Sequence, residues 1–156
     1  MRLSEQFGIV PIIEPEDHQS AGVTGDSVNM GKYGHVTFIF LFGELTGNSV
    51  LTISEGATAG TSTSALTFSY RYTGADLKND SADAFSDEAT SAALTLTAAT
   101  YEDRVLVVEI DATEMTDGYD WITPVIDSTA SELLVSCVAI MGKPRYAQND
   151  MPTAVA

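Results

Sequence analysis

The sequence predicts an all-β domain: a single antiparallel β-sandwich or barrel-like domain with an extended N-terminal arm. Three observations carry that prediction. Several segments alternate apolar and polar residues with the period of a strand, others are apolar on both faces, and turn residues separate them at short spacing. No long segment shows a sustained 3.6-residue apolar period. About seven strands with such turns argue a sandwich or barrel.

Residues 1–26 read as irregular, because Gly8, Pro11, Pro15, Gly22 and Gly25 interrupt any regular element. Yet Phe7, Ile9, Val10, Ile12 and Ile13 are too apolar for a solvated tail. An extended arm with such anchors needs a surface, either its own domain or a neighbouring subunit. Val36–Phe42 comes next, with Val36, Phe38, Phe40 and Phe42 alternating against Thr37, Ile39 and Leu41. Both of its faces are largely apolar, which places it mid-sheet with cover above and below. Gly43–Asn48 reads as a turn. Val50–Ser54 alternates with Leu51 and Ile53 inward, and Leu66–Tyr72 alternates with Leu66, Phe68, Tyr70 and Tyr72 inward. Ser81–Ala93 is rich in Ala and acid and fits a short helix or an exposed loop.

Leu94–Thr97 is a short strand, while Val105–Ile110 and Leu133–Met141 are apolar on both faces. Trp121–Ile126 is a further strand whose Pro124 cannot donate to a ladder, which assigns it to an edge or a bulge. The expected core includes Phe38, Phe40, Leu106, Val108, Trp121, Val135 and Val138. The domain spans 27–148, with 149–156 as a C-terminal tail.

The 156-residue chain is long enough for one sizeable core, and its apolar fraction of 44% is that of a folded protein. No apolar run reaches the roughly 20 residues of a membrane-spanning helix, and the opening Met1–Gly8 lacks the pattern of a signal peptide. Seven Lys and Arg against 22 Asp and Glu give a net charge of −15. Nucleic acid and anionic membrane surfaces both repel such a chain. One cysteine, Cys137, excludes an internal disulfide and sits in an apolar run as a small buried hydrophobe.

Catalytic signals are poor. His18 and His35 are the only histidines, no Gly-x-Ser-x-Gly elbow is present, and no phosphate-binding loop or zinc spacing occurs. No enzyme activity and no cofactor are expected. The acidic run Asp111–Asp120 places carboxylates at short intervals but lacks the order of an EF-hand, so a solvated turn is the simpler account. The acidic loop 76–88 reads as a solvated face. Trp121, Tyr70, Tyr72 and Tyr119 offer aromatic stacking for a sugar, but most occupy core positions.

Three segments taken together carry a resemblance: Ser27–Ile39; Val107–Met115 followed by Asp117–Asp120; and Leu134–Ile140 with Pro144–Gln148. In order and spacing, over roughly residues 20–148, the chain resembles the head decoration (cement, capsid-stabilising) proteins of tailed bacteriophages. The resemblance implies a non-enzymatic virion protein on the outer capsid surface that stabilises the shell. Its partners would be the major capsid protein and copies of itself, commonly in a homotrimer. On this expectation Phe7, Ile9, Val10, Ile12 and Ile13 bind the capsid or a neighbouring copy, and Arg145 and Tyr146 lie at a subunit interface. A phage tail or head-fibre component and a carbohydrate-binding module are the alternatives.

Overall fold

The computed structural model describes residues 2–74 and 84–145. Tyr146, the tail 149–156 and most of the acidic loop 76–88 lie outside the described residues. Among the described residues twelve strands form two antiparallel sheets packed face to face, the all-β sandwich that the alternating segments require. They are β1 (Gly8–Asp17), β2 (Val23–Thr24), β3 (Val28–Asn29), β4 (Tyr33–Thr46), β5 (Asn48–Gly56), β6 (Ser64–Leu66), β7 (Phe68–Tyr72), β8 (Ala89–Ser91), β9 (Leu94–Thr97), β10 (Val105–Asp111), β11 (Trp121–Ser128) and β12 (Glu132–Pro144). Two one-turn helices, α1 (Leu3–Gln6) and α2 (Ala98–Tyr101), complete the fold with a 3-10 turn at Ala112–Glu114.

The first sheet runs β1-β12-β4-β10-β7-β8 and the second β2-β11-β5-β6, with β3 also on β11 and β9 also on β5. Along β4, Val36, Phe38, Phe40 and Phe42 point inward, and the rings of Phe38, Phe40 and Phe42 follow one another at 6.3 and 6.2 Å. Tyr101 on α2 continues this ladder, edge-on to Phe42 and 5.3 Å from Tyr72. Leu51, Ile53, Ile122 and Ile126 of the second sheet close the core from the other side. Each such fully buried side chain contributes about 1.5–3 kcal/mol before ordering costs.

The structure corrects the sequence reading at five places. The N-terminal segment is extended but not irregular. Residues 8–17 form β1, paired with β12 from Gly8↔Met141 to Asp17↔Leu134, with two register shifts. Pro11 and Pro15 are compatible with this because β1 is an edge strand. The segment then crosses to the second sheet, where Val23 and Thr24 pair with β11. Gly25 N–H donates to the Pro124 carbonyl, and Asp26 N–H donates to the Ile12 carbonyl. Residues 8–26 therefore tie the two sheets together along one side. A Cβ at Gly25 would lie 3.0 Å from both Ile13 Cγ1 and Pro124 Cγ, so a side chain here would crowd the crossing.

Pro124 is the second correction. β11 is flanked by β5 on one side and by β2 and β3 on the other, so it is not an edge strand. Its Pro124 falls in the gap between the β2 and β3 pairings. The Pro124 carbonyl faces that side, to Gly25, and the N of the same strand residue faces the same way, so no ladder donor is missed.

Third, Gly43–Asn48 is not a loop: β4 continues to Thr46, and the reversal takes place at Gly47 with a φ of +78°. Fourth, the strands apolar on both sides are covered on one side only. Val138 and Ile39 are half-buried rather than core, and Leu41 is exposed. Fifth, Trp121 is half-buried rather than part of the core. Phe38, Phe40, Leu106, Val108 and Val135 are buried as expected.

Candidate functional site

The outward face of the first sheet is the most unusual surface among the described residues. Register fixes which side chains share it, because residues directly opposite in a ladder point to the same side. One row across the strands reads Pro11, Val138, Ile39, Val107, Arg71. The next reads Ile9, Ile140, Thr37, Glu109, Ser69. On the other side lies Ser136, Leu41, Val105. Leu134, two residues before Ser136 on β12, projects the same way. The centre of this face is thus aliphatic over four strands.

Five large hydrophobic residues are exposed among the described residues: Leu3, Ile9, Leu41, Phe85 and Leu134. Three of the five, Ile9, Leu41 and Leu134, lie on this one face. Scattered exposed leucines need no account, but a contiguous patch does. Leu41 and Leu134 also line a shallow groove of about 180 Å³ with Pro15, Glu16, Gly43 and Ser136. A Cβ at Gly43 would meet Leu134 Cβ at 3.1 Å, so the absence of a side chain here makes room for Leu134.

The two ends of the face differ in charge. Beyond Leu41 and Leu134 lies an acidic end formed by Glu132, Glu44, Asp17 and Glu102. Repulsion, from Glu44 first, raises the Glu132 carboxyl above its ordinary value. At the other end His35 Nδ1 donates to Asp111 Oδ1 at 3.1 Å and Lys143 Nζ donates to the same oxygen at 3.2 Å. Those two donors, Lys143 first, hold the Asp111 carboxyl below its ordinary value. His35 Nε2 lies 3.3 Å from Thr37 Oγ1 and 3.7 Å from Glu109 Oε1. Sequence separation hid this cluster, since His35 and Asp111 are 76 positions apart.

The side chains expected to bind a partner divide. Ile12 and Ile13 are buried in the protein's own core and are not available to a partner. Val10 packs partly against that core, and the half-buried Phe7 lies against Gly142, its Cε1 3.1 Å from where a Cβ would stand. Only Ile9 of the five is exposed. The β1 edge is itself partly occupied: the Ile12 carbonyl accepts from Asp26, and the Glu14 carbonyl lies 3.1 Å from His18 Nε2. Arg145 is exposed, with its N–H bonded to the Lys32 carbonyl, and Tyr146 lies outside the described residues.

The acidic run 111–120 does not converge. Asp111 serves His35 and Lys143, while Glu114 Oε2 accepts from Asp111 N–H at 2.7 Å. Asp117 and Asp120 line a separate polar groove with Arg145. Among the described residues no group of three or more His, Cys, Asp or Glu is placed to hold a metal ion. The run is anchored instead by Glu55, a buried carboxylate that accepts from Thr116 N–H at 2.8 Å, from Thr116 Oγ1, and from Ser64 Oγ at 3.0 Å. Sequence reasoning missed Glu55. The signal was a carboxylate ending the alternating segment Val50–Ser54, with hydroxyl residues in two of the turns that follow.

No family model, curated protein or solved structure matches the chain.

Proposed function

We propose that this protein is a non-enzymatic structural component of a virion that binds the outer surface of a phage capsid and stabilises the shell. The observation that carries the reading is the aliphatic outward face of the first sheet, with Ile9, Leu41 and Leu134 exposed together. Such a face on a rigid sandwich suits flat attachment to another protein surface. The resemblance of residues 20–148 to phage head decoration proteins supplies the class of partner. The net charge of −15 suits an outer surface better than a lumen filled with DNA. Weak contacts repeated around a shell add up through avidity. Self-association as a trimer belongs to the same proposal, with Arg145 and Tyr146 at the subunit boundary.

Co-sedimentation tests the reading. Purified protein is mixed with phage shells that lack it. Saturable binding that raises the shells' resistance to heat supports a decoration role. Polymerisation of the protein alone into tubes points to a tail component, and sugar binding without any attachment to shells points to a lectin-like module. Either result overturns the proposal.

A further inference from the structure

We propose that the outward face of the first sheet is an oriented docking surface for a protein partner with an aliphatic centre and lysine or arginine side chains facing the Glu132–Glu44–Asp17–Glu102 end. This deepens the capsid reading and rests on it: the partner would be the shell protein, and the face as a whole, to which β1 contributes Ile9 and Pro11, would be the point of attachment rather than a free N-terminal arm.

Two features select this occupant. Among the described residues nothing covers the aliphatic rows from Pro11 to Val107, with Leu41 and Leu134 beside them. Their two borders are unequal. One border holds Asp17, level with Leu134 in the β1–β12 ladder, with Glu132 at the start of β12 and Glu44 near the end of β4, carboxylates close enough to repel each other. The other is mixed, with Asp111 accepting hydrogen bonds from Lys143 and His35. A partner carrying cations on one side only would dock in one orientation, relieving the repulsion at the acidic end. A second copy fits poorly, because face-to-face pairing brings together two chains that each carry −15. The N-terminal segment fits poorly as the main anchor, because Ile12 and Ile13 are already in the core.

The test uses the full chain and two double variants, Leu41→Asn with Leu134→Asn and Glu44→Gln with Glu132→Gln. All four positions are surface sites, and far-UV circular dichroism and melting verify that both variants are folded. Two probes are used: shells lacking the protein, and a hexylamine resin, which presents an alkyl chain and a cation as the partner would. The leucine variant should bind shells about tenfold or more weakly and leave the resin earlier. The glutamate variant should bind more weakly at about 0.1 M salt and approach the parent at about 0.5 M, where charges are screened. If the parent binds shells and the leucine variant binds equally well, the docking inference fails while the capsid reading stands. If the parent binds no shell, the capsid reading fails, and the resin still decides the chemistry of the face: equal retention of parent and leucine variant overturns the inference. Self-association that the leucine variant abolishes assigns the face to a second copy and also overturns it.

Discussion

Replacing Glu55 with alanine and with glutamine should give very different losses of stability. Glu55 is 2% exposed and accepts three hydrogen bonds, from Thr116 N–H, Thr116 Oγ1 and Ser64 Oγ. Hydrogen bonds to a charged group contribute about 1.5–3 kcal/mol each. Two corrections lower the sum. Thr116 is exposed, so its freed donors regain water, and removal of a buried charge relieves its desolvation. The expected cost of Glu55→Ala is about 2–4 kcal/mol, a sizeable part of the roughly 5–15 kcal/mol that holds a domain together. Glu55→Gln keeps the shape. Its amide oxygen can take the Thr116 N–H, while its NH2 faces two hydroxyls that can rotate to accept. Only the charge assistance is lost, about 1 kcal/mol. Urea unfolding followed through Trp121, whose strand neighbour across the ladder is Gly56, reads both variants. Equal losses for the two, or an alanine variant within about 0.5 kcal/mol of the parent, would refute this account of the loop's anchorage.

Deleting residues 1–17 should abolish cooperative unfolding, because β12 loses its neighbour and the core loses Ile12 and Ile13, whereas deleting residues 1–6 should shift melting by no more than about 3 °C; calorimetry distinguishes the two. The Cys137 thiol, pushed up in pKa by burial, should resist a disulfide reagent in the folded protein and react only as fast as the protein unfolds. The Asp111 carboxyl is lowered in the folded state, so its contribution is present above the ordinary value of 3.8 and is lost as pH falls through the lower folded value. Asp111→Asn should therefore be less stable than the parent at neutral pH, with the difference closing in acid; a constant gap between the two melting curves across pH 2–7 would contradict this.

Much of the fold was legible because period-two patterns report directly on a two-layer sandwich. Val36–Phe42 locates β4, whose aromatic positions are core, whereas Leu66–Tyr72 divides between β6 in the second sheet and β7 in the first. The failures share a physical cause. Pattern reports how apolar a face is, not what covers it. Ile39, Val107, Val138 and Ile140 looked like core because they are aliphatic, yet they form the outward face. The prolines mislead in the opposite direction: Pro11 and Pro15 interrupt the strand pattern of β1 in the sequence but are tolerated because β1 is an edge strand. Pro124 lost nothing because its N faces a gap between two short strands, and no local signal places that gap. The candidate site was less legible still. Its borders combine residues such as His35 and Asp111, or Glu44, Glu132 and Glu102, which only the sheet order brings together.

The central proposal, that this chain attaches to a capsid through the outward face of its first sheet, is tested most directly by an electron-microscopy reconstruction of phage particles to which the protein is bound. The account predicts density for the sandwich on the outside of the shell, with Ile9, Leu41 and Leu134 turned toward the shell protein and cationic side chains opposite Glu44 and Glu132. Density in the tail, or a sandwich on the shell whose Leu41 and Leu134 face solvent, would contradict it.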